Sequence, residues 1–201
     1  MGEIMRIAWL GLAFALMLPA APALAEAGDK RWSLGLAGTT AQSRFRAGND
    51  LGGGSNRMDD SVLLRVTRLQ DGWRYGGDAV QVSYDEARLR VVTVYADWVR
   101  SAGNIFSWYL GAAGGYGQAR WRGNDPLGGG DNFGVSGDTT GSWVLGPRLG
   151  GLIEVTDRVE VEIGYRYLFT GISDRFSSDT ASGTVRVRDQ RLVHGGVNLR
   201  F

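Results

Sequence analysis

The chain has 201 residues, a formal net charge of +1 and no cysteine. Disulfides, thiolate metal sites and cysteine nucleophiles are excluded, and so balanced a charge argues against a nucleic-acid partner. Glycine is abundant (32 residues) and proline scarce (4), which suits a sheet with many tight turns.

Residues 1–25 read as a cleaved secretory signal peptide. Arg6 supplies a weakly basic start, Ile7 to Leu18 an apolar stretch, and Ala23-Leu24-Ala25 a small-x-small cleavage site. An apolar stretch of about twelve residues is too short to cross a bilayer as a helix. Residues 26–201 remain as one domain, and nothing in it approaches the ~18 consecutive apolar residues of a membrane helix. If this domain enters a membrane, it must do so as a closed barrel, because every backbone polar group has to be satisfied internally.

Period-two alternation marks eight candidate strands. Trp32 to Phe45 is the first, with Trp32, Leu34 and Leu36 on one face. Asp60 to Leu69 is the second, with Val62, Leu64 and Val66 outward and Leu63, Arg65 and Thr67 inward. The third, Trp73 to Tyr84, is expected to turn Val80, Val82 and Tyr84 outward. The fourth, Arg88 to Arg100, turns out Val92, Val94, Ala96 and Trp98. The fifth, Ile105 to Trp121, turns out Phe106, Trp108, Leu110 and Ala112. Ser142 to Val155 is the sixth, with Trp143, Leu145, Leu149, Ile153 and Val155 outward. Its Pro147 suggests a bulge or bend. The seventh is the cleanest: Val159, Val161, Ile163, Tyr165, Tyr167 and Phe169 alternate with Glu160, Glu162, Gly164, Arg166 and Leu168.

Connections after strands one, five and seven are long and rich in Gly, Asn, Asp and Ser, whereas the others are short. Short turns at one end and longer loops at the other are the layout of a transmembrane barrel, with the loops extracellular. Trp32, Trp98, Trp108, Trp143, Tyr165 and Tyr167 are candidate interfacial aromatics. A soluble barrel would put these aromatics inside instead.

The inward set holds Arg65, Asp97, Arg148, Glu154, Glu160, Glu162, Arg166 and, by parity, Arg200. An eight-stranded barrel is just wide enough to be filled by side chains, so these charges must pair or bear a heavy desolvation cost. They read as a structural network; a proton or ion path is the sharper alternative. Glu160 and Glu162 share a face, but an acid–base pair would need a cavity that a filled lumen lacks. His194 is the only histidine and has inward parity. No P-loop, dinucleotide fingerprint, metalloprotease helix or EF-hand pattern occurs, and no cofactor is expected.

The chain also carries a near-repeat at an offset of 76. Trp32-Ser33-Leu34-Gly35-Leu36-Ala37-Gly38 matches Trp108-Tyr109-Leu110-Gly111-Ala112-Ala113-Gly114, and the match runs on through Gln42, Arg44 and Arg46 against Gln118, Arg120 and Arg122. Each copy enters a loop rich in oxygen donors: Asn49, Asp50 and Asn56 in one, Asn124, Asp125, Asp131 and Asn132 in the other. Strands one and five stand on opposite sides of an eight-stranded closed sheet. The two loops are therefore expected to share a ligand-contact surface, with the Arg pairs placed to meet phosphates. Calcium capture by the loop oxygens is an alternative, and independent solvated loops are the bland reading.

The last strand, Arg191 to Phe201, places Val193, Gly195, Val197, Leu199 and Phe201 on one face. A terminal strand of this form, ending His194-x-x-x-Val197-x-Leu199-x-Phe201, resembles the C-terminal signal of outer-membrane barrels and is similar to the last strand of the opacity family of small OmpA-like barrels. The resemblance implies an all-β, eight-stranded antiparallel barrel in the outer membrane of a Gram-negative bacterium. Its assembly signal would be Val197, Leu199 and Phe201, read by the barrel assembly machinery. The implied partners are outer-membrane lipid, lipopolysaccharide and a host or matrix ligand met by the loops. An outer-membrane lipid-modifying enzyme and a narrow gated channel are the rival readings. The first is weakened because Gly196 stands where a deacylase-like His-x-Ser pair needs serine.

Overall fold

The computed structural model describes residues 32–48, 54–84, 87–121, 139–177 and 182–201. The expected signal peptide lies outside them. Nine strands occur among the described residues: β1 Trp32–Gly48, β2 Gly54–Gln70, β3 Trp73–Ser83, β4 Ala87–Ser101, β5 Phe106–Trp121, β6 Thr139–Thr156, β7 Val159–Thr170, β8 Ser173–Ser177 and β9 Ser182–Arg200. β1 to β7 and then β9 pair antiparallel in that order, and β9 returns to β1 to close an eight-stranded barrel. β8 is a short flap on the upper part of β9. Closure leaves no sheet edge along the wall. At the seam Trp32 and Phe201 donate to each other's carbonyls, at 3.3 and 2.9 Å.

Local chemistry sets the ends. Asp71 and Gly72 form the β2–β3 turn with φ of 53° and 75°, the two-residue arrangement whose twist matches a hairpin. This turn, residues 102–105 and residues 157–158 lie at the same end as Trp32 and Phe201, here the turn end. The opposite end is the loop end. The β1–β9 ladder shifts register between Arg44 and Phe45, and the β6–β7 ladder between Glu154 and Thr156. Pro147 forms no bulge. Its register with Ala112 is regular, and on the β7 side the pairs at Gly146 and Pro147 drop out without a shift. Proline has no N–H to donate there.

The outer wall is apolar. Leu36, Val62, Val92, Val94, Leu110, Leu145, Leu149, Ile163 and Val197 are exposed on it. Trp32, Trp73, Tyr75 and Trp108 gather near the turn end; Tyr116, Trp143 and Phe169 gather toward the loop end. Two aromatic bands around an apolar belt are what a bilayer-spanning barrel requires.

β3 departs from the sequence reading. Val80, Val82 and Tyr84 are buried inside, and Trp73, Tyr75, Ala79 and Gln81 face out. The reason is that the lumen has two storeys. The loop-end storey is an apolar core in which these side chains meet Phe45, Leu63, Leu89, Trp121 and Val187. Phe45 stands edge-on to Tyr84 and Trp121, with centroids 5.7 and 6.0 Å apart. Outward apolar parity therefore fails where the interior is itself apolar. β9 begins at Ser182 rather than Arg191, and β8 occupies part of the connection expected to be a loop.

Candidate functional site

The turn-end storey of the lumen is ionic. Glu162 on β7 stands at its centre. It pairs with Arg65, accepts from Arg74 at 3.0 Å and Asn198 at 3.1 Å, and receives the Tyr109 hydroxyl at 2.8 Å. His194 Nε2 lies 3.1 Å from both Glu162 Oε1 and Arg65 Nη2, so it can donate to the carboxylate or accept from the guanidinium. Asp97 takes Arg74 at 2.8 Å and Arg148 at 3.1 Å. Asp78 takes Arg166 at 2.6 Å and Thr93 at 2.5 Å. Arg148 lies 3.6 Å from the Tyr95 ring centroid and Arg74 4.1 Å from that of Tyr109, so ring faces carry part of the cationic charge.

Arg65, Asp97, Arg148, Glu160, Glu162 and Arg166, expected inside, are all buried in this storey. Glu154 is not. It has inward parity but sits at the turn-end rim with its side chain 43% exposed, bonded to Arg200 at 2.7 Å; Arg200 also pairs with Glu160. The sequence reading missed Arg74 and Asp78. Both lie on β3, whose parity was set by Val80 and Val82; the spacing of Trp73 and Tyr75 would have placed both inside.

Above the network, Tyr84 sits just past β3 at the loop end. Burial pushes its hydroxyl up to about 12 against the hydrogen bonds that lower it. It therefore stays neutral as it bonds Ser43 at 2.9 Å and donates to the Ala41 carbonyl at 3.2 Å.

The two copies of the near-repeat keep one parity. Trp32, Leu36 and Arg46 face out on β1, as do Trp108, Ala112 and Arg120 on β5. Gly35 and Gly111 face in at matching heights. A Cβ at Gly35 would lie 2.1 Å from Asn198 Oδ1, and one at Gly111 2.3 Å from Asp97 Oδ1. Both glycines make room for a polar side chain of the network. Of the candidate loop contacts, Arg44 pairs with Asp189 at 3.7 Å, and Arg46, Asn56 and Arg120 are exposed at the loop end. Asn49, Asp50, Arg122, Asn124, Asp125, Asp131 and Asn132 lie outside the described residues, and with them the calcium reading. In the terminal strand, Val197 and Leu199 face the outer wall and Phe201 is half-buried at the seam.

No protein-family model matches the sequence, and no curated protein does. Solved structures match over most of the chain. Neisserial surface protein A is 20% identical, with a TM-score of 0.60, over 84% of this chain and 97% of its own. Ail, the attachment invasion locus protein of Yersinia pestis, solved with the heparin analogue sucrose octasulfate, is 15% identical with a TM-score of 0.51, over 85% and 99%. Outer membrane protein H of P. aeruginosa is 19% identical with a TM-score of 0.51, over 85% and 99%. The chain has the fold of these small eight-stranded outer-membrane β-barrels.

Proposed function

We propose that the protein is a surface barrel of a Gram-negative outer membrane, with its loop end outside, serving envelope structure and loop-mediated adhesion or ligand binding, without catalysis. The observation that carries this reading is the filled lumen. An apolar storey containing Phe45, Tyr84, Leu89 and Trp121 sits on an ionic storey whose charges are paired, so work on a partner falls to the outside. A narrow channel needs a continuous water path, which the apolar storey interrupts. A hydrolase needs an accessible base, and His194 is only 3% exposed.

Support also comes from outside the chain, in the Ail structure solved with a heparin analogue. The test is a screen of glycans and matrix proteins against cells displaying the full protein, with 51–56 and 127–132 replaced by Gly-Ser linkers singly and together. The expected result is binding that falls on double replacement at unchanged surface level. Undiminished binding removes the loops from the account, and no binding to any ligand leaves an envelope role alone.

A further inference from the structure

At the loop end, Arg46 on β1 and Arg186 on β9 are direct cross-strand partners, and both face out. Like charges placed opposite each other repel. Arg188, at the register shift of the same ladder, is exposed on the same face. Extra residues at such shifts re-aim side chains. Among the described residues none of these three arginines has a carboxylate partner; the nearby Asp189 is taken by Arg44 and Arg191. Together with Thr170, Ile172 and Ser173 they line an open groove of about 350 Å³. That volume suits a small ligand rather than a single ion.

The groove's height narrows what could fill it. Gly171, on its edge, donates to the Trp143 carbonyl at 3.3 Å, and a Cβ there would lie 3.1 Å from the Trp143 indole nitrogen. Just toward the turn end, Tyr167 and Phe169 pack with centroids 4.8 Å apart, and Arg191 lies over Tyr167. The groove therefore borders the loop-end aromatic band, where lipid headgroups would meet the wall.

We propose that Arg46, Arg186 and Arg188 form a site for the phosphorylated saccharide head of a glycolipid in the surrounding outer leaflet. Guanidinium forks match phosphate oxygens, and the bound anion relieves the repulsion between Arg46 and Arg186. The proposal rests on the outer wall being lipid-embedded and is independent of any adhesion by the loops.

The test uses the folded full barrel in phosphatidylcholine vesicles doped with diphosphoryl lipid A or with its dephosphorylated counterpart, reading the unfolding midpoint; binding to the folded state raises it. For the unaltered protein the midpoint should be higher with the diphosphoryl lipid. Arg186→Gln should raise the midpoint in vesicles doped with the dephosphorylated lipid, by removing the like-charge pair, and lose the rise given by the diphosphoryl lipid. Arg188→Gln, which breaks no cross-strand pair, should lower apparent lipid affinity about tenfold. Arg90→Gln, on the far wall where Arg90 bonds Gln81 at 2.9 Å, should leave the rise intact. The proposal is overturned if diphosphoryl lipid gives no rise, if Arg90→Gln abolishes it equally, or if a soluble heparin oligosaccharide added to vesicles holding the dephosphorylated lipid reproduces it. Failure of the unaltered chain to insert overturns the lipid-wall reading and this site together. A rise that Arg186→Gln removes and Arg90→Gln keeps supports this site, and failure of every adhesion assay beside it overturns the loop reading alone.

Discussion

Glu162 draws together more of the lumen than any other side chain, because Arg65, Arg74, Tyr109, His194 and Asn198 all converge on it. Buried ion pairs gain little over apolar packing, but deleting one member strands its partners without water. Glu162→Gln should therefore cost about 3–5 kcal/mol in urea unfolding from lipid. Glu154→Gln, at the exposed rim, should cost about 1 kcal/mol or less; equal effects would mean that the network is hydrated throughout. The paired glycines give a second contrast. A Cβ at Gly111 would meet backbone, 2.2 Å from the Ala96 carbonyl and 2.7 Å from the Asp97 Cα, whereas at Gly35 its first contact is the movable Asn198 amide. Gly111→Ala should abolish folding or lower the midpoint far more than Gly35→Ala. The charge network was half legible in the sequence. Arg65, Asp97, Arg148, Glu162 and Arg166 alternate with clear lipid-facing neighbours, while Arg74 and Asp78 were hidden by a misread face.

At the scale of the strand, parity was readable wherever one face meets lipid and the other meets charge, as in β7. It failed in β3, where Val80 and Val82 look lipid-facing yet close the apolar storey. Nor does alternation reveal where a strand leaves the membrane. Thr184-Val185-Arg186-Val187-Arg188 continues β9 with valines in and arginines out, a strand pattern in its own right that a glycine- and serine-rich neighbourhood disguised as loop. Two consequences can be measured. Val94, 69% exposed on the apolar belt, should cost about 2–4 kcal/mol when replaced by Arg, if it lies near the midplane; tolerance in a lipid refolding assay would place it outside the belt. Deletion of Phe201 removes both hydrogen bonds with Trp32. It should sharply reduce heat-modifiable, membrane-inserted protein while leaving export intact; a normal yield would show that the terminal residue is dispensable for assembly.

For the whole molecule, the two storeys divide the labour. The ionic storey and the apolar storey fill the interior, and the outer surface is left to meet whatever surrounds the barrel. The barrel itself was legible from eight alternating segments and uneven connections. The two-storey interior was not, because an inward valine and a lipid-facing valine look alike in sequence. The absence of native cysteine lets a single introduced thiol report on each position. The most direct test of the filled, sealed barrel compares Gln81→Cys with Val82→Cys, neighbours on β3, in the folded protein in vesicles. Gln81, bonded to Arg90 at the loop end of β3, is exposed, and Val82 is 0% exposed. A water-soluble maleimide should modify Gln81→Cys rapidly and leave Val82→Cys protected until the barrel unfolds. Modification of Val82→Cys as fast as Gln81→Cys would mean an open lumen or a reversed β3, and would contradict the account.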